Sequence, residues 1–198
     1  MQVINKLINM DAMPKNIQDI KGETWKYIIA NMYYKVNSLN QHSFGSIIGP
    51  PGSGKSYLSL YIAYLLNPEF SMKHVAFDNN EYFELCENID KPGVPIIYEE
   101  IQIDTNAKEH LKKEVLDTAK LMGMIRSKNI HHIWNCPSEN NIPSDIRRNR
   151  QYNIVCDERN TKAPTKFTYT YLKYPQLSRD SGNNRYCELQ RQCPGQRI

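Results

Sequence analysis

Residues 49–56, Gly49-Pro50-Pro51-Gly52-Ser53-Gly54-Lys55-Ser56, set glycines around a lysine and a hydroxyl at the spacing G-x-x-x-x-G-K-[ST]. Glycine lets successive backbone N–H groups turn inward with no Cβ in the way, so such a stretch can wrap a polyphosphate. Lys55 supplies a point charge for the β- and γ-phosphates, and the Ser56 hydroxyl is a hard oxygen suited to Mg²⁺. The chemistry expected of these residues, with Tyr57 adjoining them, is the binding of a nucleoside triphosphate, ATP with Mg²⁺. Cleaving a γ-phosphate needs charge neutralisation, an oriented water and little else. Glu99 is the candidate carboxylate for the metal side and Glu100 the candidate for polarising the attacking water. Asn135 either senses the γ-phosphate and orients that water or merely caps a turn. Arg126 and the arginines at 147–150 are the remaining cations that such a site could use.

A phosphate-binding loop has to leave a strand and open a helix. Residues 44–48 form a short apolar run fit for a buried parallel strand, and 57–66 form an apolar helix stopped by Asn67-Pro68. Further strands are expected at 74–77, 94–98, 130–134 and 152–156, with helices at 81–87, capped by Asp78 or Asn79, at 107–126, and as a short piece over 143–150. Apolar residues at 16–40 recur at helical spacing and predict one helix ahead of the core. The aromatic alternation at 166–173 predicts a late β-hairpin arm, and the polar stretch after Pro175 shows no periodicity. Alternating strands and helices imply a mainly parallel sheet with helices on both faces. In such sheets ligands sit beyond the carboxyl ends of the strands, which gathers the loop 49–56, Glu99, Glu100 and Asn135 at one end.

At 198 residues the chain has room for one well-buried α/β domain. It divides on this reading into an N-terminal helical extension (1–40), a core with the β-arm (41–175) and a polar basic tail (176–198). No stretch approaches the roughly 20 apolar residues of a membrane helix, and no signal peptide is evident, so a cytoplasmic location is expected. The cysteines, Cys86, Cys136, Cys156, Cys187 and Cys193, are odd in number and lack a C-x-x-C, so neither a disulfide framework nor a zinc site is suggested. Net charge is +4 and unevenly spread: acids outnumber bases 11 to 4 over 78–117, and bases outnumber acids 7 to 2 over 162–198. That basic end is either the footprint of a nucleic-acid partner or a solvated tail.

The order of the loop 49–56, then Ile96-Ile97-Tyr98-Glu99-Glu100, then 124–138 ending in Trp134-Asn135-Cys136-Pro137-Ser138, then Ile146-Arg147-Arg148, resembles the FtsK/HerA superfamily of DNA-translocating ATPases. It is most similar to the small zonular-occludens-toxin-like ATPases of viruses and mobile elements. The resemblance spans residues 44–175. It implies a P-loop NTPase of RecA-like, ASCE type, a homo-oligomeric ring, hexameric in the family, and ATP hydrolysis coupled to movement along DNA with little sequence specificity. On that resemblance Lys55 and Ser56 match the Walker A lysine and serine, Glu99 and Glu100 match Walker B, and Asn135 matches the sensor amide. Arg126 falls where the family places an arginine reaching into the neighbouring subunit's site. Two positions depart from the pattern, which usually carries Asp at the place of Glu99 and Gln at that of Asn135. A nucleotide-dependent switch with negligible turnover, an AAA+-like ATPase without DNA translocation and a small P-loop kinase are the competing readings.

Overall fold

The computed structural model describes residues 8–21, 23–99, 123, 128–142, 144–157, 168–171 and 187–189. Glu100, Arg126, the helix expected over 107–126 apart from the helical Gly123, and the flanks of the late arm lie outside them. The elements run α1 (Lys15–Gln18), α2 (Glu23–Asn37), β1 (Ser43–Ile48), α3 (Lys55–Leu66), β2 (Val75–Ala76), α4 (Asn79–Asn88), β3 (Pro95–Tyr98), β4 (His131–Cys136), α5 (Ser144–Asn149), β5 (Tyr152–Asp157), β6 (Thr168–Tyr171) and β7 (Cys187–Leu189). The strands form one sheet in the order β2-β3-β4-β1-β5-β6-β7. The first five are parallel to one another, and β6 and β7 extend the sheet antiparallel from β5.

Every residue of β1, β3 and β4 is buried, as expected where helices cover both faces of a parallel sheet. Strand alternation then sorts the core into two layers. One face carries Ile47, Ile97, Ile133 and Ile154 against α1, α2 and α3, and the other carries Phe44, Ile96, Tyr98 and Trp134 against α4 and α5.

Several expectations are corrected. The stretch 16–40 is two helices rather than one: α1 closes at Asp19, whose N–H donates to Lys15 O at 2.9 Å, and α2 opens at Glu23. α1 packs on α2 and α3, and α2 packs on α3 and β1, with Ile17, Ile28, Ile29 and Val36 all buried. The second strand is only Val75–Ala76, because His74 is taken up in the preceding 3₁₀ turn, where its Nδ1 accepts from Ser71 N–H at 3.3 Å. Asp78 is the cap of α4, accepting from Glu81 N–H at 2.9 Å. Beyond Pro175, where no periodicity was legible, Cys187–Leu189 forms β7 and pairs with β6, a long-range partnership that sequence spacing does not encode.

Candidate functional site

The phosphate loop is held at both ends by ordinary packing. β1 delivers it from the middle of the sheet, and α3 receives it. Leu58, Ile62, Leu65 and Leu66 anchor α3 in the core, each worth about 1.5–3 kcal/mol of burial. Gly52 and Gly54 adopt φ of 81° and 83°, and Gly54 is the residue from which α3 starts. A side chain in that left-handed region would be strained, so these two positions let the loop take the tight turns of a phosphate-binding stretch. Lys55 lies back along the loop and donates to Pro50 O at 2.9 Å. Tyr57, one residue past Ser56, is 68% exposed.

β4 lies between β1 and β3, so one strand separates the phosphate loop from the strand that ends in Glu99. The register that pairs Ile97 with Ile133 brings Glu99, two residues on, beside Asn135 on the same face. Asn135 Nδ2 donates to Glu99 Oε1 at 2.6 Å and to Ser59 Oγ at 2.8 Å. Ser56 donates through its hydroxyl to Glu99 Oε2 at 3.1 Å. A continuous polar chain thus runs from Ser56 to Glu99, Asn135 and Ser59, tying α3, β3 and β4 together. Glu99 is buried, and its backbone N–H prolongs the β2–β3 pairing through Ala76 O at 2.9 Å.

Three sequence candidates are therefore joined by direct contact: Ser56, Glu99 and Asn135. Lys55 is placed next to them by the loop. Glu100 and Arg126 lie outside the described residues, so their placement is not part of this geometry. Asn135 is fully buried and engaged with Glu99, and its Oδ1 has no partner among the described residues. Ser59 escaped the sequence reading, although it is the one polar residue on the buried face of α3.

Mg²⁺ is the metal implied by the motif, and the donors present fit it. A hydroxyl and a carboxylate already within hydrogen-bonding reach of each other are hard oxygen ligands, and Mg²⁺ takes few protein ligands, with the remainder from phosphate and water. Among the described residues no group of three or more His, Cys, Asp or Glu could hold a metal. The thiols near the loop are neutral: burial pushes Cys136 and Cys156 up to about 12, against the pull of Arg150 and Lys55 on the first and of Lys55 on the second.

The decisive feature is the strand order, with β4 inserted between the loop strand and the carboxylate strand. This is a P-loop NTPase fold of the ASCE type. Solved structures similar to the chain include the N-terminal domain of zonular occludens toxin from Neisseria meningitidis, with 13% identity and a TM-score of 0.41 over 70% of this chain and 87% of that one. They also include a katanin structure and the FIGL-1 AAA domain in complex with ADP, each 16% identical with a TM-score of 0.43 over 78% of this chain. The chain spans 57% and 61% of the length of those two. No protein-family model and no curated protein matches the sequence. Among the described residues no helix is long and apolar enough to cross a membrane.

A second buried polar cluster lies on the opposite face of the sheet. Arg150 is 2% exposed. Its Nη1 donates to Ser46 Oγ at 2.7 Å and to Asn153 Oδ1 at 3.1 Å, and its Nη2 forms an ion pair with Glu139. Ser46 in turn donates to Asn153 Oδ1 at 2.8 Å. The sequence signal that could have found it is Ser46, a hydroxyl in the middle of a strand that is buried throughout. These contacts commit Arg150 to its own chain; in α5 Arg147 is half-buried and Arg148 exposed.

Proposed function

We propose that the chain binds ATP with Mg²⁺ and hydrolyses it, and that it works as a homo-oligomeric ring motor on DNA. The observation that carries the nucleotide part is the contact of Ser56 with Glu99 directly beside a glycine loop that opens α3. Bound Mg²⁺ would neutralise charge on the β- and γ-phosphates. Ser56 and Glu99 would hold the metal, and Lys55 would leave Pro50 O for the phosphates. Asn135 fixes the rotamer of Glu99 from below. Glu100, next in sequence, is the proposed acceptor of the proton from the attacking water, and Arg126 the proposed cation supplied from a neighbouring copy.

The DNA part rests on the sequence resemblance and on the excess of bases over acids, 7 to 2, across 162–198. Phosphate contacts would dominate, giving steep salt dependence and little base preference. The binding of Asn135 to Glu99 also favours a slow enzyme, because that amide is occupied at the carboxylate. The test is phosphate release from Mg-ATP with and without DNA, together with the mass in solution. Turnover stimulated by DNA in a multimer is expected. Absence of ATP binding at millimolar concentration would remove the nucleotide reading, and binding without turnover would leave a switch.

A further inference from the structure

The Arg150 cluster bears on the nucleotide site through the chain connecting them. Asn135 is the penultimate residue of β4, and Cys136, the last, accepts the N–H of Gly49 at 3.2 Å. The phosphate loop is thereby tied to the end of β4. Four residues after Asn135 comes Glu139, in a 3₁₀ turn capped by Ser138, whose Oγ accepts from Asn140 N–H at 3.3 Å. Ile142 seats the end of that turn in the core. What holds the turn sideways against β1 and β5 is the guanidinium of Arg150, with one nitrogen on Ser46 and Asn153 and another on Glu139.

We infer that Arg150 is a positioning residue for the nucleotide site: through Glu139 it fixes the turn leaving β4, and with it the placement of Asn135 against Glu99 and of Gly49 under the loop. The inference rests on the nucleotide reading above. A planar fork is needed, since one nitrogen must stay on the sheet while another reaches the turn, and lysine offers a single point charge instead. Any buried arginine needs a counter-charge; here that charge is drawn from the segment that leaves β4, which is what couples the pair to the site. Here the partner, Glu139, has a side chain 46% exposed, so the link reaches from the core to the surface beside the site.

The exposure of Glu139 makes Glu139→Ala the variant to test, because it removes the outer half of the link without emptying the core. Three readings are compared with the wild-type chain: amide hydrogen exchange without nucleotide, affinity for a non-hydrolysable Mg-ATP analogue, and kcat. Exchange at Gly49 and Ile142 should quicken at least roughly tenfold while α3 keeps its protection, since the loosening is local. Affinity should stay within about threefold and kcat should fall about tenfold, as small misplacements of a reacting geometry do. Arg150→Lys, if folded, should match it. Unchanged exchange and kcat in Glu139→Ala overturn the inference, as does faster exchange spread uniformly through α3, which marks a merely structural arginine. A wild-type chain that binds no ATP overturns the nucleotide reading, and this inference with it.

Discussion

The two buried polar clusters share serine, asparagine and glutamate on opposite faces of one sheet, but only one contains an arginine, and they do opposite things. On the α3 face, Ser56, Glu99, Asn135 and Ser59 form a chain whose outer end, Ser56, is open to solvent. On the α5 face, Arg150, Ser46, Asn153 and Glu139 form a cluster that carries its own opposite charge and leaves Arg150 no solvent contact to speak of. The first holds a buried carboxylate, Glu99, hydrogen-bonded to Ser56 at the foot of the glycine loop, where the proposed Mg²⁺ would bring positive charge. The second is already neutralised and can only hold position. Burial of charge therefore does not by itself distinguish the two clusters; what each charged group faces does.

Removing the cation nearest the open cluster should have the largest effect. Lys55→Ala is expected to lower ATP turnover roughly 10²–10³-fold, the loss typical for a donor aimed at developing phosphoryl charge. Steady-state phosphate release checks it, and an unchanged rate would take the loop out of the site. The matching change in the closed cluster is Arg150→Met. It should cost about 2–3 kcal/mol of folding stability, because Ser46 and Asn153 keep each other but lose the charge, while Glu139 returns to water. Denaturant unfolding measures this. A loss of under about 0.5 kcal/mol, the scale of an ordinary surface change, would mean that the cluster is no tie at all.

The sequence exposed the open cluster far better than the closed one. The loop 49–56 is a local pattern, and its strand and helix follow from short apolar runs on either side. Glu99 was visible because two acids end an apolar strand. Asn135 was visible as a polar residue after a strand, but its contact with Glu99 depends on β4 lying between β1 and β3, a strand order that no local spacing encodes. Arg150 is further from reach: a basic residue after a run of arginines reads as surface, and only the pairing of β1 with β5 brings Ser46 and Asn153 to it. The pairing of β7 with β6 was hidden for the same reason.

His131 sharpens the contrast between neutral and charged burial. It sits at the start of β4, fully buried, with neither ring nitrogen partnered among the described residues. Burial alone lowers its pKa to about 3. An imidazole whose folded pKa is depressed binds a proton more readily when unfolded, so its contribution is complete above about pH 6.5 and is lost as the pH falls toward 3. Between pH 6.5 and 5 stability should drop by about 2 kcal/mol from this residue, at about 1.4 kcal/mol per pH unit. Unfolding of wild type and His131→Leu at both pH values tests it, the variant being expected to lose that part of the slope. Equal slopes would show that the ring finds a partner when charged.

The smallest and most discriminating comparison is between two serines, Ser59→Ala and Ser46→Ala, which remove one hydroxyl from each cluster. Ser59 donates to Ser56 O at 2.8 Å and accepts from Asn135. Its loss leaves Asn135 on Glu99 with one bond instead of two. Ser46 accepts from Arg150 and donates to Asn153, and its loss leaves Arg150 still joined to Asn153 and Glu139. Each change should cost about 1 kcal/mol of stability, the net value of a hydrogen bond. The clusters should part company on turnover: Ser59→Ala is expected to change kcat about threefold, through a looser Asn135, whereas Ser46→Ala should leave it unchanged, because the tie to Glu139 survives. The reverse pattern, with kcat following Ser46 and ignoring Ser59, would mean that the carboxylate is positioned from the α5 face and that the polar chain through Ser59 is only packing.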